Sequence, residues 1–421
     1  MATPFEPSEE FALKMDQEDP LKDYKKLFHI PKKENGQNVI YLCGNSLGLQ
    51  PKGIESLLRR ELLMWKLHGV EGHFKGTKWV NYHEYISELC SGLVGAKPSE
   101  VVMMNTLTIN LHLMLISFYR PTVKRFKILV EHSAFPSDQY AIQSQLKLHG
   151  FDPETALLEV RPDPATQMIH TEDILKIIEQ EGDSIALVLF SGVNYLSGQV
   201  FDMKKITMAG HAKGCLVGFD LAHAFANIKL NLHEWDVDFA VWCTYKYGNG
   251  GPGAIAGTFV HEKHFAEDLP RLAGWWGHNK ESRFEMGPNF NPIQSAEGWQ
   301  VSNPPIFSMT PLIGSFEILR DAEMDNLVKK SKLLTNFLDF LLSNLQTDRI
   351  TITPKDPTMR GCQLSLHIKS NGKDLFQKLT QAGVICDWRE PDVIRIAPVP
   401  LYNTFKDLWD FFKILKGFLQ T

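Results

Sequence analysis

Val241-Trp242-Cys243-Thr244-Tyr245-Lys246-Tyr247-Gly248-Asn249-Gly250-Gly251-Pro252-Gly253 runs from an apolar segment into a polar, glycine-rich turn, with one lysine at the junction. Upstream, a second apolar run, Cys215-Leu216-Val217-Gly218-Phe219, ends in Asp220, and Leu221-Ala222-His223 follow. Both runs read as buried strands, so an acid and an amine stand at two successive strand ends. Most lysines are solvated surface charges. One that closes a buried strand, after an aspartate that closes another, asks for a chemical reason.

Working outward, the same grammar repeats. Apolar runs at 126–130, 185–190, 216–219, 239–244 and 254–260 alternate with helical segments such as 171–182 and 204–213. Apolar strands without polar alternation, separated by helices, imply an α/β fold with a mostly parallel sheet covered on both faces. Amphipathic helices are expected over 54–69 and 80–94, and Val101-Val102-Met103-Met104 leads into a further helix reaching about Tyr119. After Pro304-Pro305 the pattern changes: a long helix from about Pro311 to Leu345, broken near Met324-Asp325, then strands at 350–353 and 362–368, a helix at 372–381, short strands near Val384 and Val393, and a terminal helix over 404–419. We therefore expect an arm over 1–50, a large domain over 51–310, and a smaller C-terminal α/β domain over 311–421, against which the arm can pack.

Bulk composition excludes several classes. The chain has 421 residues, long enough for more than one domain. Its 44 basic and 49 acidic residues leave a net charge of −5, too mild to imply a nucleic-acid or membrane surface. The acidic, proline-bearing start lacks the basic and apolar regions of a secretory signal, and no run of about 18 apolar residues could span a bilayer. Six scattered cysteines form no CxxC pair and read as buried thiols of a cytoplasmic enzyme, with no structural metal.

Asp220 and Lys246 together match what pyridoxal 5′-phosphate requires: an amine to bond its aldehyde, and a carboxylate to keep its ring nitrogen protonated so that the ring accepts electrons. Thr106-Leu107-Thr108 opens a helix directly after a strand, where free N–H groups make a site for the cofactor phosphate; an ordinary N-cap by Thr106 is the plain alternative. Phe135 can stack on the ring, or be a core phenylalanine. Ser191 can reach the ring or the phosphate, or be a turn serine. His223 can flank the cofactor and orient Asp220, be a satisfied polar residue, or bind a metal with Asp220. Tyr245 can shuttle a proton, or be a core tyrosine.

The chain resembles the kynureninases over nearly its whole length after about residue 20. The resemblance rests on Gly44-Asn45-Ser46-Leu47-Gly48-Leu49-Gln50-Pro51, Thr106-Leu107-Thr108-Ile109-Asn110-Leu111-His112, Phe135-Pro136-Ser137-Asp138, Gly218-Phe219-Asp220-Leu221-Ala222-His223, Tyr245-Lys246-Tyr247, Gly274-Trp275-Trp276-Gly277-His278, Ser302-Asn303-Pro304-Pro305 and Arg395-Ile396-Ala397-Pro398-Val399-Pro400-Leu401-Tyr402. It implies fold type I of the pyridoxal phosphate enzymes (aspartate aminotransferase-like), with a seven-stranded sheet in the large domain. It also implies that Lys246 binds the cofactor and moves the Cα proton, that Asp220 faces the ring nitrogen, and that Leu107, Thr108, Phe135, Ser137, Asp138, Ser191, His223 and Tyr245 complete the cofactor pocket. Trp275 and Asn303 would reach the site from the partner in a homodimer. Arg395 would take the substrate α-carboxylate, a role suited to a planar bidentate donor, with Asn45 and Ser46 beside it. His73 and Ser302-Asn303 would meet the substrate's aromatic ring, as in members that favour 3-hydroxykynurenine.

The implied reaction is hydrolytic Cβ–Cγ cleavage of kynurenine or 3-hydroxykynurenine to alanine and anthranilate or 3-hydroxyanthranilate, with Tyr245 as proton relay. A cysteine desulfurase or aminotransferase of the same fold, or a non-catalytic binding module on that fold, are the alternatives. Three positions depart from the family: Gly248 replaces a leucine, Leu196-Ser197 replaces Tyr-Thr, and Lys78 stands where a proline is common. They bear on specificity more than on reaction type.

Overall fold

The computed structural model describes residues 5–420; residues 1–4 of the expected arm and Thr421 of the expected C-terminal domain lie outside the described residues. In chain order the strands are β1 (Ile40–Tyr41), β2 (Val101–Met103), β3 (Lys127–Glu131), β4 (Leu157–Val160), β5 (Ile185–Ser191), β6 (Leu216–Asp220), β7 (Phe239–Trp242), β8 (Gly257–Val260), β9 (Ile350–Thr353), β10 (Leu364–Ile368), β11 (Val384–Ile385), β12 (Asp387–Arg389) and β13 (Val393–Ile396).

Seven of them form one sheet in the order β2-β8-β7-β6-β5-β3-β4. β8 pairs antiparallel with both its neighbours and the other pairings are parallel, so the mostly parallel sheet expected from the apolar runs is present. The lack of polar alternation has a direct cause. Val188 and Phe190 of β5 enter the core on one face, while Leu187 and Leu189 enter the core on the other. Ala240 and Trp242 of β7 are divided from Phe239 and Val241 in the same way. Both faces must therefore be apolar. Edge strand β4 was not expected, because its residues are mostly half-buried and follow a single helical turn at Pro153–Ala156.

β9, β10, β12 and β13 form a second, antiparallel sheet in the order β12-β13-β10-β9. Its core gathers Leu364, Leu366, Ile394 and Ile396 with Leu334 to Leu342 and the apolar face of helix Phe405–Gln420. The arm joins this core. Phe11 and Ala12 of helix Glu9–Glu18 lie within it, and β1 pairs parallel with β11, placing Ile40 opposite Val384. Asp16 accepts the N–H groups of Phe405 (2.7 Å) and Lys406 (3.0 Å), capping the terminal helix from across the chain.

The long helix expected from about Pro311 begins earlier, as Ile306–Ala322, with Pro311 inside it, and it breaks beside the expected Met324-Asp325, at Glu323, whose φ is 61°. Met309, Leu312 and Phe316 belong to the core of the large sheet, whereas Leu334 and later residues belong to the second. The chain thus crosses between cores inside helix Met324–Ser343, later than the division expected near residue 310. No helix among the described residues is long and apolar enough to cross a membrane.

Candidate active site

The parallel strands deliver their carboxyl ends to one edge of the large sheet, the place where open α/β sheets bind ligands. Ser191 ends β5 opposite Asp220, and Asp220 ends β6 opposite Val241 of β7. Lys246 follows β7 on a turn held from several directions. Asn249 N–H donates to the Lys246 carbonyl (3.0 Å), Gly250 N–H to the Thr244 carbonyl (3.0 Å), and Gly48 N–H of the arm to the Tyr245 carbonyl (2.8 Å). A Cβ on Gly48 would collide with the Lys246 carbonyl, so only glycine lets the arm approach this closely.

These ends line a cleft of about 200 Å³. Thirteen sequence-predicted residues meet there: Asn45, Ser46, Leu107, Thr108, Phe135, Ser137, Asp138, Ser191, Asp220, His223, Tyr245, Lys246 and Arg395. Lys246 Nζ stands 3.0 Å from His223 Nε2. Burial, then the charge of Lys246, holds the His223 imidazole well below its usual pKa, so the ring is neutral.

Three buried carboxyls share the pocket. Asp220 accepts the Ala222 N–H at 2.6 Å; burial raises its pKa, opposed by that N–H and by Lys246. Asp138 is raised well above the usual range by burial and by the charge of neighbouring Asp220. Two adjacent carboxyls cannot both ionise cheaply, so the pair holds a proton more tightly than either acid would alone. Glu131 accepts from Ser191 Oγ and from its N–H (3.1 Å), and burial pushes it up to about 6.

The pocket fits pyridoxal phosphate. Asp138 Oδ1 and His223 Nδ1 are buried without a protein partner, as groups facing a bound ring would be. Helix Leu107–Phe118 starts at the cleft with no side-chain cap from Thr106, so the plain N-cap reading fails and its first N–H groups stay open to an anion. Thr108 Oγ1 and Ser137 Oγ lie 2.7 Å apart beside it. Phe135 meets Tyr195 edge-on at 5.2 Å.

Arg395 is only 1% exposed. Its Nε donates to Asp387 Oδ1 (3.2 Å), Nη2 to Asp387 Oδ2 (2.7 Å) and Ser46 Oγ (3.2 Å), and Nη1 to the Tyr195 carbonyl (2.8 Å). Ser46 Oγ in turn donates to Asp387. Arm, large domain and small domain therefore all meet at this one guanidinium.

Four predicted residues do not line the cleft of the single chain. His73 is turned to the Val70 carbonyl (Nδ1, 2.9 Å) and packs edge-on against Trp79. Trp275 donates Nε1–H to the Arg283 carbonyl (2.9 Å), and Ser302 and Asn303 are exposed. Conversely, Glu131, Val193, Tyr195, Ala222 and Arg389 line the cleft but were missed. Glu131 carried the same signal as Asp220, an acid closing an apolar strand. Arg389 carried none, because its place depends on strand pairing.

The departures from the family pattern also have physical readings. A Cβ on Gly248 would lie 2.6 Å from the Thr244 carbonyl and 2.9 Å from the Phe225 ring, so this turn has no room for leucine. Lys78 has φ 48°, which a proline ring forbids. Ser197 Oγ donates to Asn194 Oδ1 at 3.1 Å and so closes its own loop.

Residues 327–415 match the kynureninase C-terminal domain model. The chain is 53% identical to a kynureninase of Koribacter versatilis (strain Ellin345), over 97% of this chain and 97% of that one. It is 54% identical to a kynureninase of Myxococcus xanthus (strain DK1622), over 99% of each. Among solved structures, a cysteine desulfurase from Thermococcus onnurineus NA1 superposes with a TM-score of 0.76 at 15% identity, covering 100% of both chains, which shows a shared fold. With half of its residues shared end to end with these relatives, the chain belongs to the kynureninase family.

Proposed function

We propose that this protein hydrolyses the Cβ–Cγ bond of kynurenine, and of its 3-hydroxy form, using pyridoxal 5′-phosphate. The observation that carries this is the meeting, in one cleft, of the Lys246 amine, the Asp220 and Asp138 carboxyls, the open helix start at Leu107 and the buried Arg395 guanidinium. Lys246 would bond the cofactor, Asp220 would face its ring nitrogen, and Thr108, Ser137 and the first N–H groups of helix Leu107–Phe118 would hold its phosphate. Once bound, the cofactor supplies an electron-withdrawing ring conjugated to the substrate's Cα.

The chain's own groups then divide the work. Arg395 holds the α-carboxylate. The Lys246 amine takes the Cα proton and returns it to Cα once Cβ–Cγ has broken, and neutral His223 beside it adds no competing positive charge. Water adds to the γ-carbonyl carbon, and its oxygen leaves in the carboxylate of the aromatic product as Cβ–Cγ breaks. Burial raises Tyr245 above the usual phenol range, so its hydroxyl stays protonated and can return a proton to Cβ. Alanine and the aromatic amino acid depart.

The burial of the cysteines argues against desulfurase chemistry. All six cysteines are buried, and burial pushes Cys43, near Arg395, up to about 11, so no ready thiolate faces the cleft. Buried thiols also suit a cytoplasmic setting.

We propose that a second copy of the chain packs against this one. Trp65 (59% exposed), Val70 (76%) and Phe74 (62%) expose an apolar stretch that a monomer would rarely leave in water. In such a dimer Trp275, Asn303 and His73 would reach the partner's cleft, as the family resemblance implies. Light scattering should give a dimer mass.

Anthranilate fluorescence on adding kynurenine to the cofactor-loaded protein tests the reaction, and steady-state rates on both substrates set the preference. Lys246→Ala should lose both turnover and the visible absorbance of the bound cofactor. A loaded protein that releases no aromatic amino acid from either substrate rejects the assignment.

A further inference from the structure

Arg389 stands in the cleft wall beside Arg395, yet it entered no reading of the sequence. The cause is strand pairing. β12 runs antiparallel to β13, which sets Asp387 opposite Arg395. Arg389 lies two residues beyond Asp387, so it projects from the same face of the sheet. Its Nη2 donates to Asp387 Oδ2 at 3.2 Å. One carboxylate thus carries two guanidiniums, and the cluster keeps one net positive charge. The side chain of Arg395 is 1% exposed, that of Asp387 11% and that of Arg389 39%, so Arg389 is the arm nearest solvent.

The hydrogen-bond account of Arg395 leaves it incomplete as a receptor. A guanidinium has five N–H hydrogens. Asp387, Ser46 and the Tyr195 carbonyl take four of them, including both on Nη2. A bidentate grip on a carboxylate needs two parallel N–H groups, and Arg395 offers one on Nη1. The second donor must come from elsewhere in the wall, and Arg389 is the other cation on this side of the cleft.

We propose that Arg389 is the second arm of the α-carboxylate site, closing on the substrate opposite Arg395 Nη1, and that Asp387 is the positioning residue that holds both guanidiniums and trims their charge to that of one carboxylate. The inference rests on the reading above that Arg395 faces the α-carboxylate. Selectivity follows from the charge count: the single α-carboxylate of an amino acid neutralises the cluster, and an amino-acid amide leaves it charged and unpaired. The depressed pKa of Asp387, where burial is outweighed by its bonds to Arg395, agrees with a carboxylate that stays ionised at neutral pH.

The test uses the cofactor-loaded enzyme with kynurenine as substrate and L-alanine and L-alaninamide as probes, read by the cofactor's absorbance. Arg389→Gln should raise both the KM and the alanine dissociation constant about 10- to 100-fold, the range of one charge-assisted hydrogen bond. Its kcat should move far less, and alaninamide binding should not move. Arg389→Lys should fall between, because it restores charge without the fork. Asp387→Asn should loosen alanine as well, and melting temperatures will confirm that each variant is folded. If Arg389→Gln leaves KM and alanine binding unchanged while Arg395→Lys raises them, Arg395 works alone and the inference fails with the site reading intact. If Arg395→Lys also changes neither, the carboxylate binds elsewhere and both fail. If Arg389→Gln lowers cofactor occupancy with KM unchanged, Arg389 serves the phosphate and the proposal is overturned.

Discussion

Lys246 Nζ lies 3.0 Å from His223 Nε2, and of the two only the lysine is partly open to the cleft. The pair makes stability depend on pH. In the unfolded chain an imidazole takes up a proton below about pH 6.5. In the fold, burial and the Lys246 charge keep His223 neutral to lower pH. Below pH 6.5 the unfolded state therefore binds the extra proton, and this contribution is lost on acidification at about 1.4 kcal/mol per pH unit until the folded pKa is reached. Denaturant titrations of the cofactor-free protein between pH 5 and 8 should show that slope, and His223→Asn should flatten it.

Glu131 gives the opposite sign. Its folded pKa, about 6, exceeds the roughly 4.3 of an unfolded glutamate. The neutral form suits the fold, so a cost develops as pH rises from about 4.3 to 6 and persists above, amounting to about 2 kcal/mol. Glu131→Gln should gain stability over the natural chain across that window. It leaves Ser191 with one acceptor oxygen where there were two, so activity should fall. A melting-temperature difference that stays flat from pH 4 to 7 would contradict this account.

Gly48 meets the backbone of the Lys246 turn. In Gly48→Ala the new methyl group must displace the Lys246 carbonyl or Asn249. Overpacking of this kind costs about 1–3 kcal/mol. Moving a reacting amine by about 1 Å costs about 100-fold in rate. We expect kcat to drop about 10- to 100-fold, with a shift in the cofactor's absorbance and a lower melting temperature.

Asp16 lies outside the cleft and acts on stability alone. It caps helix Phe405–Gln420 through two N–H groups. Asp16→Ala should cost about 1–2 kcal/mol in a denaturant titration, and Asp16→Asn less, with kcat unchanged in both.

The strand ends were legible because burial leaves a mark on local sequence. An apolar run long enough for one strand, stopped by a single polar residue, announces Ser191, Asp220 and the Lys246 turn without knowledge of their neighbours. Glu131 carried the same mark and was passed over. Helix boundaries such as Thr171–Glu181 and Gly372–Gln381 were legible for a similar reason, from periodicity and terminal glycines. The helix at 306–322 was misplaced because Pro311 reads locally as a start, and only packing against the large core shows the helix passing through it.

By itself, the sequence determined the layered α/β plan, the polar residues that close the strands and the family, because each rests on residues close together in the chain. Tertiary structure alone decided that the Asp387–Arg395 hairpin meets Ser46 of the arm and the Tyr195 carbonyl, that the arm's Gly48 pins the lysine turn, and that His73, Trp275, Ser302 and Asn303 lie outside the single-chain cleft. Those relations are set by strand register and domain packing between segments as much as 349 residues apart, as for Ser46 and Arg395. No local pattern of side chains encodes such a distance. It emerges only when both cores have closed.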